Sequence, residues 1–305
     1  MTLTLLAIQI LNGLQFGFIL FLVAAGLTLV FGVMDFINLA HGVQYMLGAY
    51  LAATFVAVTG DFWTGVLLGI AGSLVMGFVL EFTVFRFLVR RDHLDQVLGT
   101  FGLILIFTDL VKMIFGPASQ PMPLPPALGV SVRLAEGFSY PLWRLVIIGA
   151  GLATAVLLGV LIARTRVGML VRAGSTHRQM VSALGVNIDR LFLAVFAFGA
   201  MLAGFAGAMA GPILSIEPTM GDTVLIFAFV VIVVGGVGSL TGALIAALGI
   251  GLIDTLGRAF ITDLLKLVLS KSDAAAAGPA LASMSIYLLM AAVLAFRPNG
   301  LMATK

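Results

Sequence analysis

The stretch LLAIQILNGLQFGFILFLVAAGLTLVFGV, Leu5–Val33, decides the fold. It contains no charged residue, and the first charge in the chain is Asp35. A helix needs about 20 apolar residues to cross a hydrocarbon layer of about 30 Å, and this run exceeds that. A cleaved signal peptide would carry a Lys or Arg ahead of a much shorter apolar core. No cation precedes Leu5. The stretch is therefore expected to be a retained first transmembrane helix. With no positive residue holding its leading end in the cytoplasm, the amino terminus is expected outside.

The rest of the chain has the same character. Of 305 residues, 61% are hydrophobic and only 10% are charged, against roughly 45–50% and 25% in a soluble domain. Sixteen basic and 13 acidic residues cannot build a water-facing surface on a chain this long. This excludes a soluble enzyme, a disordered protein and a nucleic-acid module. The net charge of +3 is no nucleic-acid signal, because the cations sit between apolar runs and form no stripe. Glycine (36 residues) and phenylalanine (23) suit helices packed closely in lipid. Cysteine is absent, and His41, His93 and His177 lack metal-ligand spacing, so no metal site is expected.

Further apolar runs at Tyr45–Val58, Phe62–Phe85, Val97–Phe115, Leu142–Ala163, Leu191–Leu214, Thr223–Val237, Leu240–Phe260 and Leu281–Phe296 complete the candidate spans. The fold class is all-α: a polytopic membrane protein of about eight to ten transmembrane helices, with one or two broken or re-entrant segments. Tyr45–Val58 and Thr223–Val237 are the short ones. Nine crossings with the amino terminus outside put ten cations inside, among them Arg86, Arg90, Arg91, Arg297 and Lys305, and six outside. That excess is the positive-inside pattern. Residues 1–305 read as a single transmembrane permease-like domain with two long loops.

The outer loop, 116–141, holds six of the ten prolines, five of them between Pro117 and Pro126. Proline removes backbone donors and fixes φ, so the loop should run extended in polyproline-like geometry. It suits a rigid connector or a rim that meets another protein. The inner loop, 164–190, carries five Arg and one Asp. Ser175 or Thr176 could cap a short helix there and Gly185 could end it, with Met180, Val181, Ala183 and Leu184 as a small apolar face. Such a helix could lie on anionic lipid or insert into a cytoplasmic partner.

Polar groups within apolar spans are costly, so each is a candidate site. The densest cluster is Asp35, Asn38, His41, Gln44 and Tyr45 in FGVMDFINLAHGVQYMLGAY. Gly32 and Gly42 flank it and would permit an unwound backbone. Asn38, His41 and Tyr45 would share one face if helical. With Asn12 and Gln15 of the first span, the set Asn38, His41, Gln44 and Tyr45 forms the candidate translocation pathway, although interhelical hydrogen bonding is the favoured role for Asn12 and Gln15. Asp254 and Arg258 stand four apart, as a helical ion pair would. Gly235, Gly236, Gly238 and Gly242 form VVGGVGSLTGA, in which no Lys follows the glycines, so it is no phosphate loop. It reads as a tight crossing or a helix break. Gly207 and Gly211 have the spacing of a close helix–helix contact.

Four segments together resemble the membrane subunits of branched-chain amino-acid ABC importers, of the LivH type: FGVMDFINLAHG with YMLGAYLA; RTRVGMLVRAGSTHRQMVSALGVNIDRLFLAVFAFGAMLAGFAG; VIVVGGVGSLTGALIAALGIGLI; and VLAFRPNGLM. They follow family order from residue 31 to 302. The resemblance implies a permease in the bacterial inner membrane, without catalytic residues of its own. It implies a second permease subunit (LivM-type or a second copy), two ATP-binding subunits that use ATP and Mg, and a periplasmic substrate-binding protein. This chain would hold no cofactor. The segment 174–185 would be the coupling element, with Arg172, Thr176, Arg178, Gln179, Met180, Leu184 and Gly185 contacting the ATPase. Importers of this kind often place Glu-Ala-Ala, three residues and Gly there. Here Gln179, Met180 and Val181 precede Ser182, Ala183, Leu184 and Gly185, so only the glycine is kept. Docking would rest on apolar contacts and on Arg172 and Arg178. The substrate implied is a branched-chain amino acid, or a related small polar solute such as urea, an amide or an aromatic acid.

The alternative is an ion-coupled secondary transporter or a channel acting without an ATPase. A coupled carrier would need a buried acidic relay, which the sequence lacks. An intramembrane enzyme would need a nucleophile with a base or a metal set, and no such pattern occurs.

Overall fold

A computed structural model describes residues 3–135, 137–176 and 178–302, with the backbone alone at Thr176, Arg178 and Gln179. His177 and Lys305 lie outside the described residues. The helices are α1 (Leu3–Met34), α2 (His41–Thr59), α3 (Phe62–Leu80), α4 (Arg86–Leu88), α5 (His93–Phe115), α6 (Leu142–Arg164), α7 (Arg166–Thr176), α8 (Arg178–Ala183), α9 (Ile188–Ala210), α10 (Met220–Gly235), α11 (Leu240–Leu265) and α12 (Lys271–Phe296). A π-helical turn, Glu81–Phe85, joins α3 to α4, making one span from Phe62 to Leu88. Among the described residues, eight helices are long and apolar enough to cross a membrane, and α10 is a shorter apolar helix. The protein is thus an all-α, multi-pass membrane protein. The second span is a full 19-residue helix. Among the apolar helices of the described residues, α10, at 16 residues or about 24 Å, falls short of the hydrocarbon thickness.

Helix starts follow local capping chemistry. The side chains of Asp61, Asp92, Asn187, Ser239 and Ser270 accept from the backbone N–H three residues on, at the starts of α3, α5, α9, α11 and α12. Each satisfies one donor that the helix leaves without an internal partner.

The chain forms two compact units. One comprises 22–125 and 154–229, and here α2, α3 and α9 pack on one another. Their contact is made by missing side chains. A Cβ on Gly48 would stand 2.2 Å from the Cα of Gly204, and one on Gly207 would stand 2.0 Å from the Tyr45 carbonyl oxygen. In lipid there is no hydrophobic drive between helices, so close backbone approach supplies the attraction. The tight pair on α9 is Gly204 and Gly207. Gly211 lies just past the helix end, where a Cβ would meet the Met122 and Ile216 side chains at 3.0 and 3.2 Å and the Gly207 carbonyl oxygen at 3.5 Å. Gly207 thus makes the close helix–helix contact expected of it, and Gly211 packs on side chains rather than on helix backbone.

The other unit comprises 1–21, 126–153 and 230–305, with α11 packed on α12. Gly13 and Gly17 of α1 pack on the α11 backbone at Leu252 and Ala247. The glycine cluster is both a break and a crossing. Gly236 and Gly238 adopt φ of 100° and 79° between α10 and α11, which a side chain would disfavour. Gly235 and Gly242 meet backbone to backbone. The carboxy-terminal segment returns to this point: Leu301 and Met302 donate to the carbonyls of Val234 and Gly235 at 2.8 and 3.0 Å. They satisfy acceptors that the end of α10 leaves open.

The proline-rich loop is not extended throughout. Ser131–Ala135 (β1) pairs antiparallel with Phe138–Pro141 (β2), turning at Gly137 with φ +73°. Only one proline, Pro141 at the strand end, falls in this half, so the backbone donors needed for a ladder are present. The Pro117–Pro126 half carries the prolines and forms a single bridge, Gln120 to Ile216.

Candidate translocation site

The site is built around the break between α1 and α2. Asp35 sits there at φ +51°, a left-handed conformation rare outside glycine but tolerated by Asp. Gly32 and Gly42 are both helical, so the break is not theirs. Gly42 serves packing instead, since a Cβ on it would stand 2.3 Å from the Gly221 carbonyl oxygen. The linker 35–40 is non-helical, so Asn38 does not continue the face of His41 and Tyr45. Asp35 is exposed, whereas Asn38, His41, Gln44 and Tyr45 are buried.

Side chains of α5 hold the linker. The Ile37 N–H donates to Gln96 Oε1 at 3.2 Å and the Leu39 N–H to Thr100 Oγ1 at 3.3 Å. Gln96 Nε2 in turn donates to the Arg91 carbonyl. Phe36 packs edge-on against Phe85, with ring centroids 5.5 Å apart, and Phe85 lies 4.4 Å from Phe196. A buried non-helical backbone needs hydrogen-bond partners from its neighbours, and Gln96 and Thr100 supply them. Neither was anticipated. Their signal is in the sequence: two polar residues four apart, on one face of α5 where its long apolar run begins.

His41 points across to α1, and its Nε2–H donates to the Val23 carbonyl at 3.0 Å. A carbonyl can only accept, so this bond assigns the ring proton to Nε2 and leaves Nδ1 as an acceptor. Gly26 makes room for the ring: a Cβ there would stand 3.0 Å from the imidazole Cε1 and 2.6 Å from the Gly199 carbonyl oxygen.

The defining feature is what these side chains do not touch. Both amide atoms of Asn38 and the hydroxyls of Thr28, Tyr45 and Tyr50 are buried without a hydrogen-bond partner among the described residues, and His41 Nδ1 and the Gln44 amide face only each other. Leaving such a group unpaired costs about 1–3 kcal/mol. More than nine-tenths of buried polar groups find partners in native proteins, so a cluster of orphans calls for an explanation. All are neutral donors and acceptors; Asn38 lies in the break itself and His41, Gln44 and Tyr45 in the first turns of α2 beside it, while Tyr50 stands further along α2 against Phe115. They can take the place of water around a small polar solute without fixing a charge in the membrane.

Asn12 does not belong to this cluster. Its Oδ1 accepts from Tyr140 Oη at 2.9 Å and from the Arg144 guanidinium, and its Nδ2 donates to Gln9. It is an anchor that ties α1 to β2 and the start of α6. Burial pushes the Tyr140 phenol up from its ordinary range, and the Arg144 charge pulls it part-way back. Gln15 is buried one turn further along α1. Asp254 and Arg258 pair within α11 at 2.9 Å.

The inner loop forms two helices, α7 and α8. Ser175 lies inside α7 and its hydroxyl donates to the Arg172 carbonyl, so it caps nothing. Gly185 ends the second helix at φ +86°. Met180 and Leu184 are 62% and 79% exposed while Val181 is buried beneath them. The apolar pair therefore stands out from the surface. Arg172 is exposed but engaged, its guanidinium donating to the Ile162 carbonyl. The side chains of Thr176, Arg178 and Gln179 lie outside the described residues.

Helices around a break, orphaned neutral polar groups and a protruding inner loop define a membrane permease. Residues 9–294 match the family model described as branched-chain amino acid transport system / permease component, and the chain belongs to that family, the permease subunits of ABC importers. It is a transport component rather than an enzyme. It is 30% identical to the high-affinity branched-chain amino acid transport system permease protein LivH of Escherichia coli K12, covering 86% of this chain and 89% of that one. It is 28% identical to the corresponding permease protein BraD of Pseudomonas aeruginosa, covering 96% and 94%. A probable branched-chain amino acid transport permease protein of Methanocaldococcus jannaschii is 25% identical over 78% of this chain and 76% of its own length. No solved structure matches.

Proposed function

We propose that this permease passes a branched-chain amino acid, or a related small polar solute, through the bacterial inner membrane along a path lined by Thr28, Asn38, His41, Gln44 and Tyr45. The observation that carries the reading is the cluster of buried polar atoms without partners at the α1–α2 break. A periplasmic binding protein delivers the solute. A second permease subunit, LivM-type or a second copy, completes the membrane part. Two ATP-binding subunits, carrying ATP and Mg, drive the cycle. The exposed pair Met180 and Leu184 supports docking of the ATPase at α8, where closure would bias one of two membrane conformations.

The test is reconstitution of the chain with its co-purifying subunits in liposomes, followed by uptake of labelled leucine. Uptake that requires ATP and the binding protein, and that Met180→Asp with Leu184→Asp abolishes, is the expected result. Uptake by this chain alone without ATP would assign it to the secondary carriers or channels.

A further inference from the structure

A second site lies away from the break. The π-helical turn, α4 and the start of α9 enclose an open cleft of about 360 Å³, with Met34 at its edge. Three arginines line it: Arg86, Arg90 and Arg190. Two carboxylates, Glu81 and Asp189, line it too, so the cleft carries one formal positive charge in excess. Asn187 caps α9 there by accepting from the Arg190 N–H at 3.0 Å. The Arg86 guanidinium lies over the Phe82 ring, 5.0 Å from its centroid. Phe82 and Phe192 give the cleft an apolar wall.

Its depth is set by the spans. The cleft joins the last turns of the span Phe62–Leu88 to the first of the span Ile188–Ala210. It therefore stands at the level where hydrocarbon gives way to water. A ligand there meets the guanidiniums of Arg86, Arg90 and Arg190 and the rings of Phe82 and Phe192, with the carboxylates of Glu81 and Asp189 beside them. Arginine is suited to that level, because its fork pairs with phosphate oxygens while its stem packs on apolar surface. Basic clefts between spans at this depth fit anionic headgroups.

We propose that this cleft seats an anionic phospholipid, its phosphate on Arg86, Arg90 and Arg190 and an acyl chain leaving along Phe82 and Phe192. A single net positive charge matches the single negative charge of a phosphatidylglycerol headgroup. A free phosphate would use the arginines but gain nothing from the aromatic wall, and for that reason the lipid is the ligand chosen. The site is separate from the proposed pathway residues and does not depend on the solute.

The experiment uses the full chain, purified with its accompanying subunits in detergent containing equal phosphatidylglycerol and phosphatidylcholine. Retained phospholipid is counted by mass spectrometry after washing. Preferential retention of phosphatidylglycerol is expected, falling by roughly fivefold for each arginine removed in Arg86→Gln, Arg90→Gln and Arg190→Gln. Arg164→Gln with Arg166→Gln, which alters cations outside the cleft, is expected to leave it unchanged. Because all four variants are checked for monodispersity in phosphatidylcholine alone, misfolding is read separately. Equal retention of the two lipids by the unaltered protein would overturn the proposal. So would an equal loss in the Arg164/Arg166 variant, displacement of the lipid by millimolar inorganic phosphate, or loss of the ATP-binding subunits in place of lipid.

Discussion

Asn38 shows how a residue can be costly to stability and still be needed. Both ends of its amide are buried and unpartnered, and the fold gains nothing from them. Replacing such a group by an apolar one of similar shape removes a desolvation cost of about 1–3 kcal/mol. Asn38→Leu is therefore expected to leave thermal stability unchanged or raise it, while ATP-driven uptake falls at least tenfold. A scan of unfolding temperature beside a transport assay checks this, and a loss of stability in step with uptake would make Asn38 a structural residue. Asp61 behaves in the opposite way. It caps α3 from an exposed position, and the Thr64 backbone N–H, with lesser help from the Thr64 hydroxyl and the Trp63 N–H, holds its carboxyl below the ordinary 3.8. A carboxylate depressed in the folded state contributes stability above its unfolded pKa and loses it as pH falls through the folded value. Asp61→Asn keeps the cap without the charge. The gap in unfolding temperature between the two proteins is expected to be open at pH 7 and to close below about pH 4. A gap independent of pH would show that the charge contributes nothing.

Among the elements, glycines decide what can touch. On α9, Gly207 faces backbone of α2 that cannot yield, so Gly207→Ala must push two helices apart. Overpacking of this kind costs about 1–3 kcal/mol. Gly149 in α6 has open space where a Cβ would go. There, Gly149→Ala should instead gain up to about 1 kcal/mol from helix propensity. Unfolding of the two variants of the purified chain, side by side, tests whether close approach or glycine itself matters. The same contrast explains what the sequence disclosed. Long apolar runs are local, so the spans were legible, as were the α10–α11 break and the Asp254–Arg258 pair. The polar cluster at 38–45 was also legible, because polar groups in an apolar run stand out. The placement of the break was not: Asp35 rather than a glycine takes the left-handed conformation, held by Gln96 and Thr100 from a helix distant in sequence. Nor was Asn12's role, since its partners Tyr140 and Arg144 lie some 130 positions away, separations of 128 and 132 residues. The β-hairpin was hidden by the prolines beside it.

For the whole molecule the open quantity is the number of crossings, and α10 decides it. A re-entrant segment must return to the side it entered from. Here α10 is unbroken, and after Gly235 the chain turns within four residues, Gly236–Ser239, into α11. No return leg exists between them. The entry end of α10 follows the segment whose Ile216 pairs with Gln120 of the proline-rich loop, so those two stretches share a side. The 26 residues of α11, about 39 Å, then carry the chain back across. With α10 counted as a short crossing beside the eight longer helices, the expected topology is nine crossings, with the amino terminus outside, the loop 164–190 inside and the α11–α12 turn outside. The excess of cations assigned to the inner loops agrees with it. Because the chain has no cysteine, single cysteines report without background. Ser119→Cys and Val268→Cys are expected to react with an impermeant thiol reagent added to intact cells or spheroplasts. Ser182→Cys is expected to react only after the membrane is opened. Labelling of Ser119 with protection of Val268 would remove α10 from the crossings and invert everything after it. Protection of both, with Ser182 accessible, would invert the whole chain, and the inner loop could then no longer meet an ATPase.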